Sequence, residues 1–176
     1  NNYMRGKDPL PFDLLYWNAD STRMAAANHS FYLRNCYLEN NLSAGRMELA
    51  GRTLSLSDIT IPVYNLATKE DHIAPAKSAF EGSRYFGGEV EYVLSGSGHI
   101  AGVVNPPSLK KYQYWTGGKA AGSLADWMAA AHEHAGSWWP HWQRWIEDQD
   151  GTRVPARQPG TKTLGDAPGS YVKVRV

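Results

Sequence analysis

The chain has 176 residues, a formal net charge of +1 at pH 7 and a charged fraction of 20%. This length allows one domain with a buried core, and this charge excludes a strongly basic protein of the kind that binds nucleic acids or anionic membranes. The single cysteine excludes an intrachain disulfide and a cysteine-based zinc site, and the sequence has neither a signal-peptide core nor an apolar run of the ~20 residues that span a membrane.

The amino-terminal part predicts one loop, one helix and one hairpin. Residues 1–20 are punctuated by prolines and predict a loop, and the missing initiator methionine indicates part of a longer polypeptide. Asp20 or Ser21 suits the N-cap of a helix over residues 21–42, where apolar residues recur at helical spacing. A short β-hairpin is predicted with its turn at residues 50–51.

The middle of the chain predicts a parallel strand–helix–strand unit and therefore an α/β fold. Residues 60–67 and 89–94 are short apolar runs of strand character, and residues 75–86 predict the helix between them. Pro75 suits the first helical position, and the glycine pair 87–88 ends the helix. Two strands joined by a helix of this length normally lie parallel in one sheet.

The carboxyl-terminal third predicts helix followed by an extended tail. Residues 123–148 show helical spacing with one break, and Ser123 with Asp126 predicts a capping box at the start. Residues 150–170 are rich in glycine and proline, which predicts a loosely held extended segment. Residues 171–176 alternate in character and predict an edge strand.

Asp71 and His99 form the strongest candidate site in the sequence. Asp71 lies in the loop after the first predicted parallel strand, and His99 lies in the glycine-rich loop after the second. Both loops leave the same carboxyl edge of the sheet, so the carboxylate and the imidazole can meet. A carboxylate that fixes the histidine tautomer produces a general base. The alternative is an unrelated surface aspartate and loop histidine.

The sequence supplies no convincing nucleophile for such a pair. No G-x-S-x-G or G-x-C-x-G elbow is present, and the "GSG" at residues 96–98 has the wrong spacing and follows the acid. Cys36 precedes Asp71, but it lies in a predicted helix without flanking glycines. Cys36 is therefore interpreted as a packing residue.

The remaining histidines and tryptophans favour structural roles. His132 and His134 fall in a predicted helix, where a spacing of two directs side chains ~200° apart, so a metal site is not expected. Trp138, Trp142 and Trp145 share one helical face, which predicts packing against the sheet. A ligand platform is the alternative for that face.

Several long strings in this order resemble class I polyhydroxyalkanoate synthases, specifically the carboxyl-terminal part of their catalytic domain. The resemblance implies the last parallel strands and helices of an α/β-hydrolase fold. It implies the end of a helical cap region over residues 1–45, the hydrolase core over residues 46–150 and an extended tail over residues 151–176. One departure is Ala76, where relatives often carry Trp. The strings are "PFDLLYWNADSTRM", "FYLRNCYLENNL", "KEDHIAP", "GSGHIAGVVNPP" and "GSWWPHWQRWI".

The resemblance also implies an activity, which is transfer of 3-hydroxyacyl groups from coenzyme A to a growing polyester. In a Cys-His-Asp triad, Asp71 and His99 would be two members, and the nucleophilic cysteine would lie upstream of this chain. No cofactor is implied, because the substrate is itself a coenzyme A thioester. The resemblance implies a cytoplasmic enzyme on polyester granules, a homodimer when complete, with no nucleic-acid partner.

Two further expectations follow from the missing nucleophile and the partial sheet. The 176 residues alone are expected to be inactive. They are also expected to be stable only beside the rest of the sheet or in a self-associated form, since a partial sheet exposes an edge. Two alternatives to the enzyme are a non-catalytic module for granule binding or dimerisation, and a serine-type esterase or depolymerase.

Overall fold

The computed structural model describes residues 2–7, 13–158, 160 and 164–174. Helices and strands alternate through this part of the chain, with the strands concentrated in its middle. Short π-helical or 3₁₀ segments also occur at Leu33–Leu38, Leu56–Asp58, Ser83–Tyr85, Pro107–Leu109 and Tyr171–Lys173. The helices and strands are α1 Asn2–Arg5, α2 Asp13–Ala19, α3 Ala26–Tyr32, β1 Met47–Leu49, β2 Arg52–Leu54, β3 Val63–Thr68, α4 Ala76–Gly82, β4 Val90–Ser95, β5 Gln113–Thr116, α5 Leu124–Ala130, β6 His132–Ala135 and α6 Trp139–Gln149.

The main sheet is mixed, with strand order β3-β4-β5-β6. The predicted parallel unit is confirmed: β3 and β4 pair in parallel from Val63 opposite Val90 to Thr68 opposite Ser95, and α4 connects them. Strands β5 and β6 were not predicted, and they continue the sheet in antiparallel pairing. The architecture is therefore mixed α/β, with parallel strands only at one side of the sheet.

One face of the sheet packs against helices α4 and α5 through aromatic rings. Phe80 and Tyr92 are fully buried and meet edge to face, with ring centroids 5.1 Å apart. Trp127 contacts Tyr92 at 4.9 Å in the same geometry. Edge-to-face pairs satisfy the ring quadrupoles and exclude water, so this cluster forms the main core.

The opposite face packs against α6, as the sequence predicted for the tryptophan stripe. Tyr64 on β3 contacts Trp138 at 6.1 Å and Trp145 at 5.4 Å between ring centroids. Val93, which follows Tyr92 on β4, joins Trp138 in this second cluster because neighbouring strand residues point to opposite faces. Trp138 and Trp145 are therefore packing residues of this stripe, whereas Trp142 contacts Trp138 and is 40% exposed.

The glycine pair at residues 87–88, predicted to end the helix, instead allows two backbone segments to approach each other closely. A Cβ on Gly87 would lie 2.0 Å from the carbonyl oxygen of Ser57, and one on Gly88 would lie 2.5 Å from that of Ile61. Only glycine lets the two backbone segments approach this closely. The pair therefore sets the contact between the start of β4 and the chain that leads into β3.

The predicted helix over residues 123–148 is wrong in its middle. Its first part is α5, which begins with the predicted capping box between Ser123 and Asp126. The next segment is strand β6, in which His134 bonds Thr116 across the sheet at 2.8 Å (Nε2 to Oγ1). In a strand, His132 and His134 share one face, so the opposed directions expected from a helix are wrong as well.

Predictions for the two ends of the chain are partly wrong. The segment predicted as a loop contains α1 and α2. Helix α3 begins at Ala26, after the N-cap residue Ala25, so neither Asp20 nor Ser21 caps it. The predicted edge strand is a 3₁₀ turn at Tyr171–Lys173, and its last two residues lie outside the described part.

The hairpin is confirmed, with its turn at Ala50 and Gly51, which both have positive φ.

The predicted boundaries after residues 45 and 150 stay predictions. Across the part of the chain that the structure describes, no helix combines the length and apolar character needed to cross a membrane.

A half-buried histidine makes the stability of α6 on the sheet dependent on pH. His141 Nδ1 lies 3.0 Å from the Tyr64 hydroxyl, and its Nε2 lies 3.9 Å from Glu91 Oε1. Burial, then the charges of Arg144 and His134, lowers the pKa of His141 from its ordinary value. The folded state therefore prefers neutral His141. With its proton on Nε2, on the side of Glu91, its Nδ1 accepts a hydrogen bond from the Tyr64 hydroxyl.

We expect the stabilisation from His141 to be complete above pH ~6.5, the ordinary histidine pKa, and to be lost as the pH falls below it. The reason is that the unfolded chain takes up the proton more readily than the folded protein. Between pH 8 and pH 5 the melting temperature should fall more steeply in the wild type than in His141→Asn. The asparagine keeps an acceptor at the Nδ1 position and does not titrate. Equal pH slopes would contradict this assignment.

Candidate active site

The two candidate loops leave the carboxyl ends of adjacent parallel strands and stay paired beyond them. Lys69 N–H donates to the Ser95 carbonyl at 2.8 Å, and Glu70 N–H donates to the Ser97 carbonyl at 3.0 Å. These bonds carry the strand pairing one step into the loops. The residue that follows Glu70 is thereby placed beside the loop that follows β4.

The structure brings Asp71 and His99 into direct contact. His99 Nδ1 lies 2.7 Å from Asp71 Oδ2, which is the distance of a charge-assisted hydrogen bond. An ionised carboxylate can only accept, so Nδ1 carries the proton and donates it to Asp71. Nε2 is then the ring atom with a lone pair, and the His99 side chain is 46% exposed. The arrangement suits proton transfer at Nε2.

Asp71 is held as an anion by its surroundings. Its Oδ1 accepts the backbone N–H groups of Ile73 at 2.8 Å and Ala74 at 2.9 Å, and its Oδ2 also accepts the Thr68 hydroxyl at 3.3 Å. The Ala74 N–H, followed by His99 and the Ile73 N–H, holds the pKa of Asp71 well below its usual range although burial opposes this. Its side chain is only 7% exposed, so it serves His99 rather than solvent.

A helical turn after β4 carries His99. Gly102 N–H donates to the Gly98 carbonyl at 2.9 Å, and Val104 N–H donates to the Ile100 carbonyl at 2.8 Å. The fully buried Ser95 hydroxyl donates to the Gly102 carbonyl at 2.7 Å and ties the turn to the strand. The turn is thus fixed at its middle by the last residue of β4.

The absence of a side chain at Gly102 is a packing requirement. A Cβ there would lie 2.6 Å from the Gly96 carbonyl oxygen and 2.6 Å from Thr68 Cγ2. The close contact at Gly102 is therefore with the strand end that supports Asp71.

The other sequence candidates do not join this pair. Cys36 is a half-buried free thiol on the π-helical segment Leu33–Leu38. Among the described residues, Asp71 is the single hydrogen-bond partner of His99. The catalytic roles of Asp71 and His99 stay predictions. In the described part of the chain, no group of three His, Cys, Asp or Glu side chains is arranged to hold a metal ion.

Sequence reasoning missed two residues that support the pair. Thr68 and Ser95 are opposite each other at the ends of β3 and β4, and both are buried. Their hydroxyls bond Asp71 and the His99 turn respectively. The sequence feature that could have identified them is a polar residue at the end of each apolar strand, immediately before each candidate loop.

Comparison with known proteins identifies close relatives. The chain is 70% identical to a poly(3-hydroxyalkanoate) polymerase subunit PhaC of Rhizobium meliloti (strain 1021), over 99% of the chain and 29% of the relative. It is 63% identical to a poly(3-hydroxyalkanoate) polymerase of Methylorubrum extorquens, over 99% of the chain and 30% of the relative. A Cupriavidus necator PhaC subunit is 39% identical, over 99% and 31% respectively. No family model matches the chain.

These matches run through nearly the whole chain, including both loops of the candidate site, while the chain spans about three tenths of the length of these relatives. The matched region is a carboxyl-terminal portion of each relative. The chain therefore belongs to the poly(3-hydroxyalkanoate) polymerase family and corresponds to a carboxyl-terminal portion of its members.

Proposed function

We propose that the protein carrying this chain is an acyltransferase that polymerises 3-hydroxyacyl groups from coenzyme A thioesters into a polyester and releases coenzyme A. The observation that carries the proposal is the 2.7 Å contact between Asp71 Oδ2 and His99 Nδ1 at the carboxyl edge of two parallel strands. The printed names of the relatives, which are polymerases of 3-hydroxyalkanoates, supply the substrate class.

The first half-reaction forms an acyl-enzyme. A cysteine thiol, supplied by sequence outside these 176 residues on a G-x-C-x-G elbow, gives its proton to His99 Nε2. The thiolate attacks the thioester carbonyl carbon, and the bond to the coenzyme A sulfur breaks. The leaving thiolate takes the proton from the His99 imidazolium, so free coenzyme A departs and the base is neutral again.

The second half-reaction extends the polyester. The hydroxyl of a 3-hydroxyacyl group gives its proton to His99 Nε2 as its oxygen attacks the acyl-enzyme carbonyl carbon. The carbon–sulfur bond breaks, and the cysteine sulfur takes the proton back from His99. One ester bond is gained, one thioester bond is lost, and His99 completes the cycle unchanged.

Asp71 acts in this scheme by orienting His99, rather than by activating the hydroxyl itself. Both of its oxygens are already occupied by hydrogen bonds, from Ile73 and Ala74 on one side and from Thr68 and His99 on the other. A carboxylate with a strongly lowered pKa is also a weak base. Both properties support an orienting role.

The finer parts of the proposal rest on the resemblance of the sequence to class I synthases. The complete protein has an α/β-hydrolase core to which β3, β4 and α4 contribute. It uses no cofactor besides the coenzyme A of its substrate. It works as a homodimer in the cytoplasm, at the surface of polyester granules, without a nucleic-acid partner.

Coenzyme A release from 3-hydroxybutyryl-CoA tests the proposal. We expect release and polymer formation by the complete protein and none by residues 1–176 alone, because the thiol that His99 serves lies outside them. Polymerisation by the 176 residues alone would contradict the external nucleophile. Hydrolysis of the polyester with a serine in the elbow would favour an esterase or depolymerase instead.

A further inference from the structure

Two indole N–H groups converge on one carbonyl in the turn that carries His99. Trp139 Nε1 donates to the Val103 carbonyl oxygen at 2.9 Å, and Trp138 Nε1 donates to the same oxygen at 3.2 Å. The Asn105 backbone N–H also approaches it, at 3.1 Å. Val103 follows His99 by four residues, so the start of α6 is bonded directly to the far end of the His99 turn.

The turn is not held by burial of its own side chains. Ile100 is 54% exposed, Val103 38% and Val104 60%. Exposed apolar side chains contribute little to fixing a loop, because most of their surface stays in water. The position of the turn therefore depends on hydrogen bonds to its backbone.

Those bonds come from two elements and reach two consecutive residues. The Ser95 hydroxyl of β4 holds the Gly102 carbonyl, and the two indoles at the start of α6 hold the Val103 carbonyl. Two anchors from separate elements restrain both the position and the tilt of a short turn. A single anchor would restrain the turn less.

Both indoles have packing contacts of their own. Trp138 is 9% exposed and packs on Tyr64 of β3, with ring centroids 6.1 Å apart. The backbone N–H of Trp139 donates to the Ser137 hydroxyl at 3.1 Å, and the two tryptophan rings contact each other edge to face. Donors fixed in this way lose little entropy when they hold the carbonyl.

We propose that Trp138 and Trp139 are positioning residues that hold the His99 turn so that Nδ1 stays in hydrogen-bond contact with Asp71. The positioning of His99 by the two tryptophans follows from the contacts in the structure, whereas the effect of that positioning on turnover rests on the proposed function. Loss of both indole donors releases the Val103 carbonyl and lets His99 move relative to Asp71.

The matched pair of variants is W138F/W139F and W142F/W145F in the protein carrying this chain. Both replace two tryptophans of the α6 region by a smaller ring, but only the first pair bonds the His99 turn. Trp142 and Trp145 contact Trp138 and Tyr64 through their rings. Comparing the two variants separates the loss of indole donors from the loss of aromatic volume.

Two measurements are made on each variant. The first is the NMR signal of the His99 Nδ1 proton and its exchange with water, which reports the bond to Asp71 without any substrate. We expect exchange at least about tenfold faster in W138F/W139F than in W142F/W145F. The second is kcat and KM for 3-hydroxybutyryl-CoA, where we expect kcat to fall about 10- to 100-fold with little change in KM.

The outcomes separate the two claims. A His99 Nδ1 signal and exchange rate equal to those of W142F/W145F would overturn the positioning role, whatever the activity. Faster exchange with unchanged kcat would support the positioning role and contradict the function proposed for His99. If W138F/W139F does not fold, replacement of both Trp138 and Trp139 by 3-benzothienylalanine keeps the two rings and removes both indole N–H groups. Unchanged exchange in that variant would equally overturn the role.

Discussion

Replacement of His99 by alanine should reduce polymerisation by about 10³-fold or more while the protein stays folded. In the proposed mechanism the loss is large because His99 Nε2 accepts a proton in both half-reactions, and among the described residues no other base is bonded to Asp71. The folded state should survive because the His99 ring is half-exposed and contributes little to the core. Coenzyme A release from 3-hydroxybutyryl-CoA, followed beside thermal melting, measures both effects.

His72→Ala is the matched control for this variant. His72 is an exposed histidine in the loop that carries Asp71. Its replacement should leave kcat within about twofold of the wild type, because His72 is not part of the proposed catalytic pair. Wild-type turnover in His99→Ala would remove His99 from the mechanism.

Replacement of Asp71 by asparagine should lower kcat by about 10²- to 10⁴-fold, by reversing the tautomer of His99. The Ile73 and Ala74 N–H groups require an acceptor at the Oδ1 position, so the amide oxygen of asparagine stays there. The amide NH₂ then occupies the Oδ2 position, opposite His99 Nδ1. A donor facing a donor is unfavourable, so His99 moves its proton to Nε2 and loses the lone pair that accepts protons.

Glu70→Gln is the control for charge removal in the same loop. Glu70 is exposed and next to Asp71, and it should leave kcat close to the wild type. NMR of labelled histidine should show the proton at Nε2 in Asp71→Asn and at Nδ1 in the control. If kcat in Asp71→Asn equalled that of the wild type, Asp71 would have no orienting role.

Acid should weaken the Asp71 contribution to stability in a defined direction. Its folded pKa lies below the unfolded value near 4, so its stabilisation is complete above that value. The stabilisation is lost as the pH falls towards the folded pKa.

The sequence by itself determined the parallel unit and the pair at its edge. Two apolar runs separated by a helix define β3, α4 and β4, because this order allows essentially one arrangement of short, right-handed connections. Adjacent parallel strands end at the same edge, so the sequence predicted that the loops holding Asp71 and His99 can meet there. The same local patterns predicted that the Trp138 face packs on the sheet and that Cys36 is not the nucleophile of an elbow.

Only the tertiary structure decided where the sheet continues. Strands β5 and β6 are four residues each, and β6 reads His-Glu-His-Ala, without the apolar run that marks a buried strand. Their stability comes from cross-strand pairs such as Trp115 Nε1 with Glu133 Oε2 at 3.0 Å. Such pairs form only once the partner strand is in place. Local propensity therefore predicted a helix over residues that the sheet holds in a strand.

The anchoring of the His99 turn was equally beyond sequence patterns. Periodicity identifies the face that Trp138 buries, but it contains no information on which carbonyl an indole N–H reaches. The bonds from Trp138 and Trp139 to Val103 join residues 35 and 36 positions apart. The sequence therefore determined which two residues meet at the sheet edge, and the packing of α6 on the sheet decided how firmly they are held together, because that contact depends on three-dimensional distance rather than on local spacing.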